Sequence, residues 1–303
     1  MRFVVLYVIG GLILSSNVRA SECPTGSTLV GKPPPNGTEQ YCQKPDGTYH
    51  GKYMGWNDNG VKIIEQNFKN FQYDGSYKSW HSNGQKREEG EYKDGNKVGK
   101  WTEWYDNGQK REEGEYKDNK LVGKTTTWYK NGHKKVEGEY KGGDPHGKWT
   151  WWHDNGQKRE EGERKNGKEH GKRTYWSATG NVLGTNQWDN GSGLITRWHD
   201  NGQKRREGEY KDGRSIGKWT YWSETGELLG ANQYDPNGNL VGKYTEWHPN
   251  GQKKVEGEYK GGYPHGKWTF WSSNGEKIAV GKYSHEMAWT CWNITGKQTT
   301  CPD

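Results

Sequence analysis

Aliphatic residues are what this 303-residue chain lacks most. Hydrophobic residues of every kind, aromatics included, make up 28% of it, with four Phe and three Met, and mean hydropathy is −1.34. A conventional Leu/Ile/Val core is excluded, and taken alone such a composition points to disorder. Cysteine is missing between positions 43 and 290. Helical periodicity is missing too, and so many glycines would be costly inside helices. The signatures of catalysis are also lacking: no Gly-x-Ser-x-Gly elbow, no His-Glu-x-x-His pair and no phosphate loop. We therefore expect a non-enzymatic protein without cofactor or metal, since a uniform chain offers no asymmetric pocket for catalysis.

Aromatics and glycine are plentiful: 18 Trp, 19 Tyr and 46 Gly. Large rings bury much area per residue, so a thin aromatic layer can replace an aliphatic core. At the N-terminus, Arg2, the apolar run Phe3 to Leu14 and the small-residue site Val18-Arg19-Ala20 spell a secretory signal peptide over residues 1–20. Its removal takes away Arg2 and Arg19 and no acid, lowering the formal charge from +7 to +5. That is a mild excess, which permits an anionic partner without requiring one. We expect a secreted or periplasmic chain.

Its four cysteines are Cys23, Cys42, Cys291 and Cys301. An even number in an exported chain reads as disulfides, with three connectivities open. If the middle is an extended array, its ends are far apart, and only Cys23–Cys42 and Cys291–Cys301 can close.

Self-similarity dominates that middle, with a period of about 24 residues. One Trp anchors each of eleven units: Trp56, Trp80, Trp104, Trp128, Trp152, Trp176, Trp198, Trp222, Trp247, Trp271 and Trp292. The steps from Trp176 to Trp198 and from Trp271 to Trp292 are shorter than the rest, and the step from Trp222 to Trp247 is longer. Four residues after each Trp stands a Gly. Five before it a Gly occurs in ten of eleven units, Met287 being the exception, and twelve after it comes an aromatic, Arg164 excepted. Asn-Gly after the Trp signals a hairpin, because Gly, and less easily Asn, accepts positive φ. In the unit at Trp104 a strand ends at Tyr105, turns at Asp106-Asn107-Gly108 and returns to Tyr116, and a second turn over Lys117–Gly123 starts the next unit. The expected fold is all-β: an elongated antiparallel meander of about eleven hairpins, or about 22 strands, stapled by a disulfide at each end and roughly 100 Å long at about 4.8 Å per strand. Alternation puts Trp104 with Thr102 on one face and Trp101 with Glu103 on the other. A Gly bulge at the turn would swap faces on the return strand, so the buried face stays open. The expected domains are the signal peptide (1–20), an N-terminal disulfide cap (21–50), the repeat array (51–284), and the last repeat with a C-terminal disulfide cap (285–303).

The unit Gly-Lys-Trp-Thr-x-Trp-x-x-Asn-Gly-Gln-Lys-x-x-Glu-Gly-Glu-Tyr-Lys-x-Gly resembles the bacterial variant of the MORN repeat over about residues 51–296. That resemblance implies an antiparallel sheet of hairpins used for binding or scaffolding, and some bacterial members carry an antitoxin-type label. Choline-binding cell-wall repeats share the Trp- and Gly-rich hairpins but arrange their aromatic clusters differently.

Histidines recur in columns, among them His81, His153, His199 and His248 after the anchor Trp. A metal ladder is the sharp interpretation, but equivalent sites roughly 10 Å apart cannot share one ion, so polar strand ends are favoured. Runs such as Lys86-Arg87-Glu88-Glu89 suggest either a basic stripe for a polyanion or cross-strand ion pairs that solubilise the sheet, and acids matching bases nearly one for one favour the second. Two return strands break the pattern: Gly180–Gly193 and Gly226–Gly242 replace charge with Leu, Asn and Gln. We therefore mark Asn186, Gln187, Trp188, Asn232, Gln233 and Tyr234 as candidate binding residues. The expected function is an exported scaffold that recognises a protein or an envelope polysaccharide. The alternative is an antitoxin or immunity-type protein that neutralises a toxin by direct binding. Nucleic acid is disfavoured as a partner, a membrane surface is left open, and the sequence does not set the oligomeric state.

Overall fold

A computed structural model describes residues 19, 22–283 and 289–302. Apart from Arg19, the expected signal peptide lies outside the described residues, as does Met287. Among the described residues there are 24 β-strands and no α-helix. The chain forms two compact units, Met1–Lys120 and Leu121–Asp303.

In the first unit, β1 (Thr28–Lys32), β2 (Glu39–Gln43), β3 (Tyr49–Trp56), β4 (Lys62–Lys69), β5 (Gln72–Trp80), β6 (Lys86–Lys93), β7 (Asn96–Trp104) and β8 (Lys110–Lys117) pair antiparallel in chain order. The second unit holds β9 (Lys120–Trp128), β10 (Lys134–Lys141), β11 (Asp144–Trp152), β12 (Lys158–Lys165), β13 (Lys168–Trp176) and β14 (Val182–Trp188), paired in the same way. It continues with β15 (Gly193–Trp198), β16 (Lys204–Lys211), β17 (Arg214–Trp222), β18 (Leu228–Tyr234), β19 (Leu240–Trp247), β20 (Lys253–Lys260), β21 (Tyr263–Trp271), β22 (Lys277–Tyr283), β23 (Trp289–Asn293) and β24 (Gln298–Thr299). The eleven hairpins run from β3/β4 to β23/β24. Strands β1 and β2 add the N-terminal cap, which takes the strand total above the sequence expectation. Disulfides join Cys23 to Cys42 and Cys291 to Cys301, and Cys42 packs with Met54 and Trp56 while Cys291 packs with Trp268 and Phe270.

Two turn types alternate, and they use their residues differently. Within a hairpin, Gly108 N–H donates to Tyr105 O at 3.0 Å and Tyr105 N–H to Gln109 O at 2.8 Å, with Gly108 at φ +82°. This is a three-residue loop with a Gly bulge. A second irregularity follows at once: Glu103 pairs with Glu112 but Trp104 with Lys110, leaving Arg111 unpaired. The anchor Trp thus shares a face with Lys110 and Glu113. Asn107 does not take positive φ here, contrary to expectation. In this column the Asn carbonyl accepts from the backbone N–H two residues on, as in Gln109 N–H to Asn107 at 3.1 Å. Its amide reaches the next turn along, as in Asn83 to Asp106 O and Asn131 to Asp154 O, both at 2.6 Å. Between hairpins the loop has two residues, both left-handed: Asp94 and Gly95 at φ +47° and +79°, and Asn166 and Gly167 at +51° and +78°. The next strand starts straight after it, at Lys120 rather than beyond Gly123.

The Gly five before the anchor therefore sits inside a strand. At Gly99, φ +65°, the chain bulges: Glu89 pairs with Thr102 but Glu91 with Val98, so Gly99, Lys100 and Trp101 together face the single residue Gly90. The same register shift recurs at β10/β11, β16/β17 and β20/β21. The bulge lays the indole three residues before the anchor onto that glycine. A Cβ added at Gly90, Gly138, Gly208 or Gly257 would stand 2.2–2.3 Å from the rings of Trp101, Trp149, Trp219 or Trp268. These four indoles are 1–6% exposed, whereas of the anchor column only Trp56 is buried and the rest are half-buried. The buried layer is thus the Trp101 face, with the +12 tyrosines edge-on: Tyr92 to Trp101 at 4.9 Å and Tyr259 to Trp268 at 5.2 Å. Each such indole contributes on the order of 5 kcal/mol, at about 25 cal/mol per Å² over roughly 200 Å².

The opposite face carries clusters of two lysines on one glutamate. Lys110 lies 2.6 Å and Lys100 3.1 Å from Glu113, and Lys134 (2.7 Å) and Lys124 (3.2 Å) pair with Glu137 in the same way. Anchor rings lie beneath the first lysine of the preceding return strand, as with Lys134 over Trp152 at 5.6 Å and Lys62 over Trp80 at 4.7 Å.

Two expectations follow. Gly90→Ala should lower the urea midpoint by an amount equivalent to about 1–3 kcal/mol through overpacking against Trp101; an unchanged midpoint would show that the ring can move aside. Burial alone would raise Glu113, Glu137 and Glu161, but their paired lysines outweigh it and hold each below the usual carboxylate range. Their stabilising contribution is complete above the unfolded carboxylate value, about 4.3. It is lost as pH falls through the lower folded values. Melting temperature should therefore fall on acidification below about pH 5, and more steeply than in Glu113→Gln/Glu137→Gln.

Candidate functional site

In the regular units the residue after the anchor Trp bonds to the next unit. His81, His153, His199 and His248 set Nε2 at 2.9–3.1 Å from the carbonyl of the next anchor, Trp104, Trp176, Trp222 and Trp271. Tyr129 donates from its hydroxyl to Trp152 O at 2.8 Å in the same place. The histidine column thus joins neighbouring units. Among the described residues, no group of three or more His, Cys, Asp or Glu is placed to hold a metal ion.

The pattern breaks differ. At the first, the short step from Trp176 to Trp198 lacks two residues of the regular unit, and with them the bulge: Gly193 is nearly extended, at φ +157°. Between β14 and β15 only the bridge Asp189↔Ser192 remains. Asn186 stands where regular units have the glycine beneath the indole, and the residue that would cover it is Ile195, fully buried. The Asn186 amide donates to Thr196 O and its carbonyl accepts from Thr196 N–H, both at 2.9 Å. Asn232 does the same with Thr245, at 3.1 and 3.0 Å. Both asparagines are 4% exposed, and each replaces a lost strand contact with a side chain that imitates backbone. Gln187 and Gln233 are exposed and Trp188 is buried, packed with Ile195 and Trp219.

At the second break, the long step from Trp222 to Trp247 adds one residue to the turn. Asp235 to Asn239 forms a three-residue loop with Gly238 at φ +87°. Strands β18 and β19 then share only two register pairs, Gln233↔Val241 and Tyr234↔Leu240. Beside that opening lies a cavity of about 630 Å³, lined among others by Arg205, Arg206, Tyr221, Asn232, Tyr234 and Tyr244. Burial pushes the Tyr234 and Tyr244 hydroxyls well above the ordinary value, with neighbouring Tyr221 and Glu246 adding to the shift. At neutral pH both are neutral groups able to donate. A smaller hollow of about 360 Å³ beside the first break includes Arg164, Glu169, Trp188, Arg197 and Tyr210.

The breaks flagged in the sequence thus lie beside these hollows, and of the six candidates Asn232 and Tyr234 line the larger one while Trp188 lines the smaller. Arg205 and Arg206 were not flagged, because Lys-Arg after Asn-Gly is ordinary in this chain. Aligning the columns exposes Arg206, which falls where Glu88, Glu112 and Glu160 stand elsewhere, whereas Arg205 keeps the arginine of Arg87, Arg111 and Arg159.

Six segments, residues 73–94, 97–118, 121–141, 145–166, 192–212 and 240–260, match the family model described as MORN repeat variant. The chain belongs to the MORN repeat variant family. The matched MORN segments leave out residues 167–191 and 213–239, which contain both altered return strands. No curated protein matches the chain. Among solved structures, TcdB2–TccC3 without its hypervariable C-terminal region is 11% identical, with a TM-score of 0.20, over 90% of this chain and 15% of that one. TcdB2–TccC3–Cdc42 is 10% identical, with a TM-score of 0.20, over 88% and 14%. This MORN-variant chain therefore spans about 15% of the length of those chains, and a likeness that loose carries no argument.

Asn186→Ala should destabilise the second unit by about 1–3 kcal/mol, because it leaves a buried N–H and C=O at Thr196 without partners. Gln187→Ala should be near neutral. Equal urea midpoints for the two variants would contradict the internal role of Asn186.

Proposed function

We propose that this MORN-variant protein is an exported, non-enzymatic scaffold that holds a protein or an envelope glycan against its sheet. One observation carries this proposal: the cavity beside β18 and β19, at a place where the repeat departs from its own rule. In the regular units one glutamate is held between two lysines, as Glu113 is by Lys110 and Lys100, and turn side chains reach the next unit, as Asn83 does, so that surface repeats without offering a distinct hollow. At this cavity aromatic rings and arginines line a hollow whose size suits a ligand site of roughly 300–1,000 Å³. The two disulfides support an oxidising compartment, as does the signal-peptide pattern of residues 1–20. They weigh against the antitoxin alternative wherever the toxin acts in a reducing cytoplasm.

Expression with the native leader, followed by fractionation and N-terminal sequencing, tests the compartment. The expected product starts near Ser21, carries no free thiol and is retained by isolated envelope material. A reduced chain in the cytoplasm that still starts at Met1, or a mature chain that envelope fractions do not retain, would overturn the proposal.

A further inference from the structure

The unit anchored on Trp198 reverses the charge of the pattern. Immediately before the anchor, and seven and eight residues after it, the unit at Trp104 has Glu103, Arg111 and Glu112, and the Arg111 guanidinium bonds the Glu103 carboxylate. The unit at Trp198 has Arg197, Arg205 and Arg206. Arg197 and Arg206 stand opposite each other on β15 and β16, and like charges so placed are destabilising. Arg197 donates to the Tyr175 hydroxyl at 2.6 Å. Among the described residues, neither Arg205 nor Arg206 has a carboxylate within ion-pairing distance, and Arg206 Nε is buried without a hydrogen-bond partner.

Both arginines line the 630 Å³ cavity with Tyr221, Tyr234 and Tyr244. Of the acids in the same lining, Glu246 is 3.3 Å from Lys254, while Glu224 is exposed to solvent and 4.0 Å from His199 Nδ1. Two arginines thus face one unpaired carboxylate at the rim, and the balance of charge in the cavity is positive. A guanidinium presents a planar fork that matches a carboxylate with two parallel hydrogen bonds. Ring faces beside that fork suit the C–H face of a sugar, and neutral tyrosine hydroxyls and the cavity rim suit its hydroxyls.

We infer that this cavity binds a carboxylate-bearing sugar unit of a glycan, with Arg205 and Arg206 on the carboxylate and the tyrosine rings against the sugar. The inference rests on the scaffold proposal and names the ligand class of its candidate site.

The test titrates the full mature chain with an oligogalacturonate and follows tryptophan fluorescence and calorimetry. Saturable binding is expected, weakened at least tenfold by Arg206→Glu, which installs the residue that the units at Trp80, Trp104 and Trp152 carry at this position. Exposed Arg205→Gln, a second variant, should weaken it several-fold. Arg87→Glu, a surface change in the first unit, should leave it unchanged. Neutral maltohexaose should not bind. Equal binding of maltohexaose, preference for polyphosphate over the uronate, or wild-type affinity in folded Arg206→Glu and Arg205→Gln would each overturn the inference. Envelope retention that survives both variants would remove this site and leave the scaffold standing, whereas absence of retention in the wild type would remove the scaffold itself.

Discussion

Between regular hairpins, an indole ring lies against the bare backbone of a glycine in the preceding return strand. Much else in the unit follows from that contact. The glycine must lack a side chain because the Trp101 ring occupies the volume a Cβ would need. The ring can lie there because Gly99, in the left-handed region, lets its strand bulge opposite a single residue. With so few aliphatic residues, these buried rings and the tyrosines edge-on to them supply the apolar layer, bordered by charged groups such as Lys97 over Trp101, while the opposite face carries the Lys–Glu clusters.

The departures from this arrangement compensate for themselves. Where the indole is replaced by Ile195 or Tyr244, the glycine becomes Asn186 or Asn232, whose side chain restores the hydrogen bonds to the neighbouring strand. In the same two units the lysine that usually covers the next anchor ring becomes Val182 or Leu228. The anchors Trp198 and Trp247 then lie over Gly184 and Gly230 and against Tyr175 and Tyr221, at 5.3 and 5.4 Å. Altered residues therefore occur in sets, and no single one of them marks the hollow beside it.

Much of this was legible in the sequence. The hairpin count, the antiparallel order and both cysteine pairs follow from spacing alone. The identity of the buried ring did not. The anchor column is the more regular because it caps a turn and carries a lysine, whereas the buried column tolerates Thr125, Arg173 and Ile195 as its partner across the strand adjusts. The Asn-Gly pair signalled a turn correctly, yet Asn107 is retained for hydrogen bonding rather than for left-handed backbone. The pattern breaks were visible as lost charge. The arginines beside the second one were not, because Lys204-Arg205 reads as one more ordinary pair, and only the columns of Arg197 and Arg206, set against Glu103 and Glu112, depart from the pattern.

The two-residue bulge carries a rule of parity. A strand alternates faces, so gaining or losing one residue inside it would turn every later ring of that unit outward. The short unit that ends at Trp198 sheds an even number by deleting the bulge, while the long unit that ends at Trp247 places its odd residue in the turn around Gly238, where no face is at stake. In these two units, then, an even change is absorbed inside the strand and an odd one at a corner. The spacing of the tryptophans records where each of the two changes was accommodated.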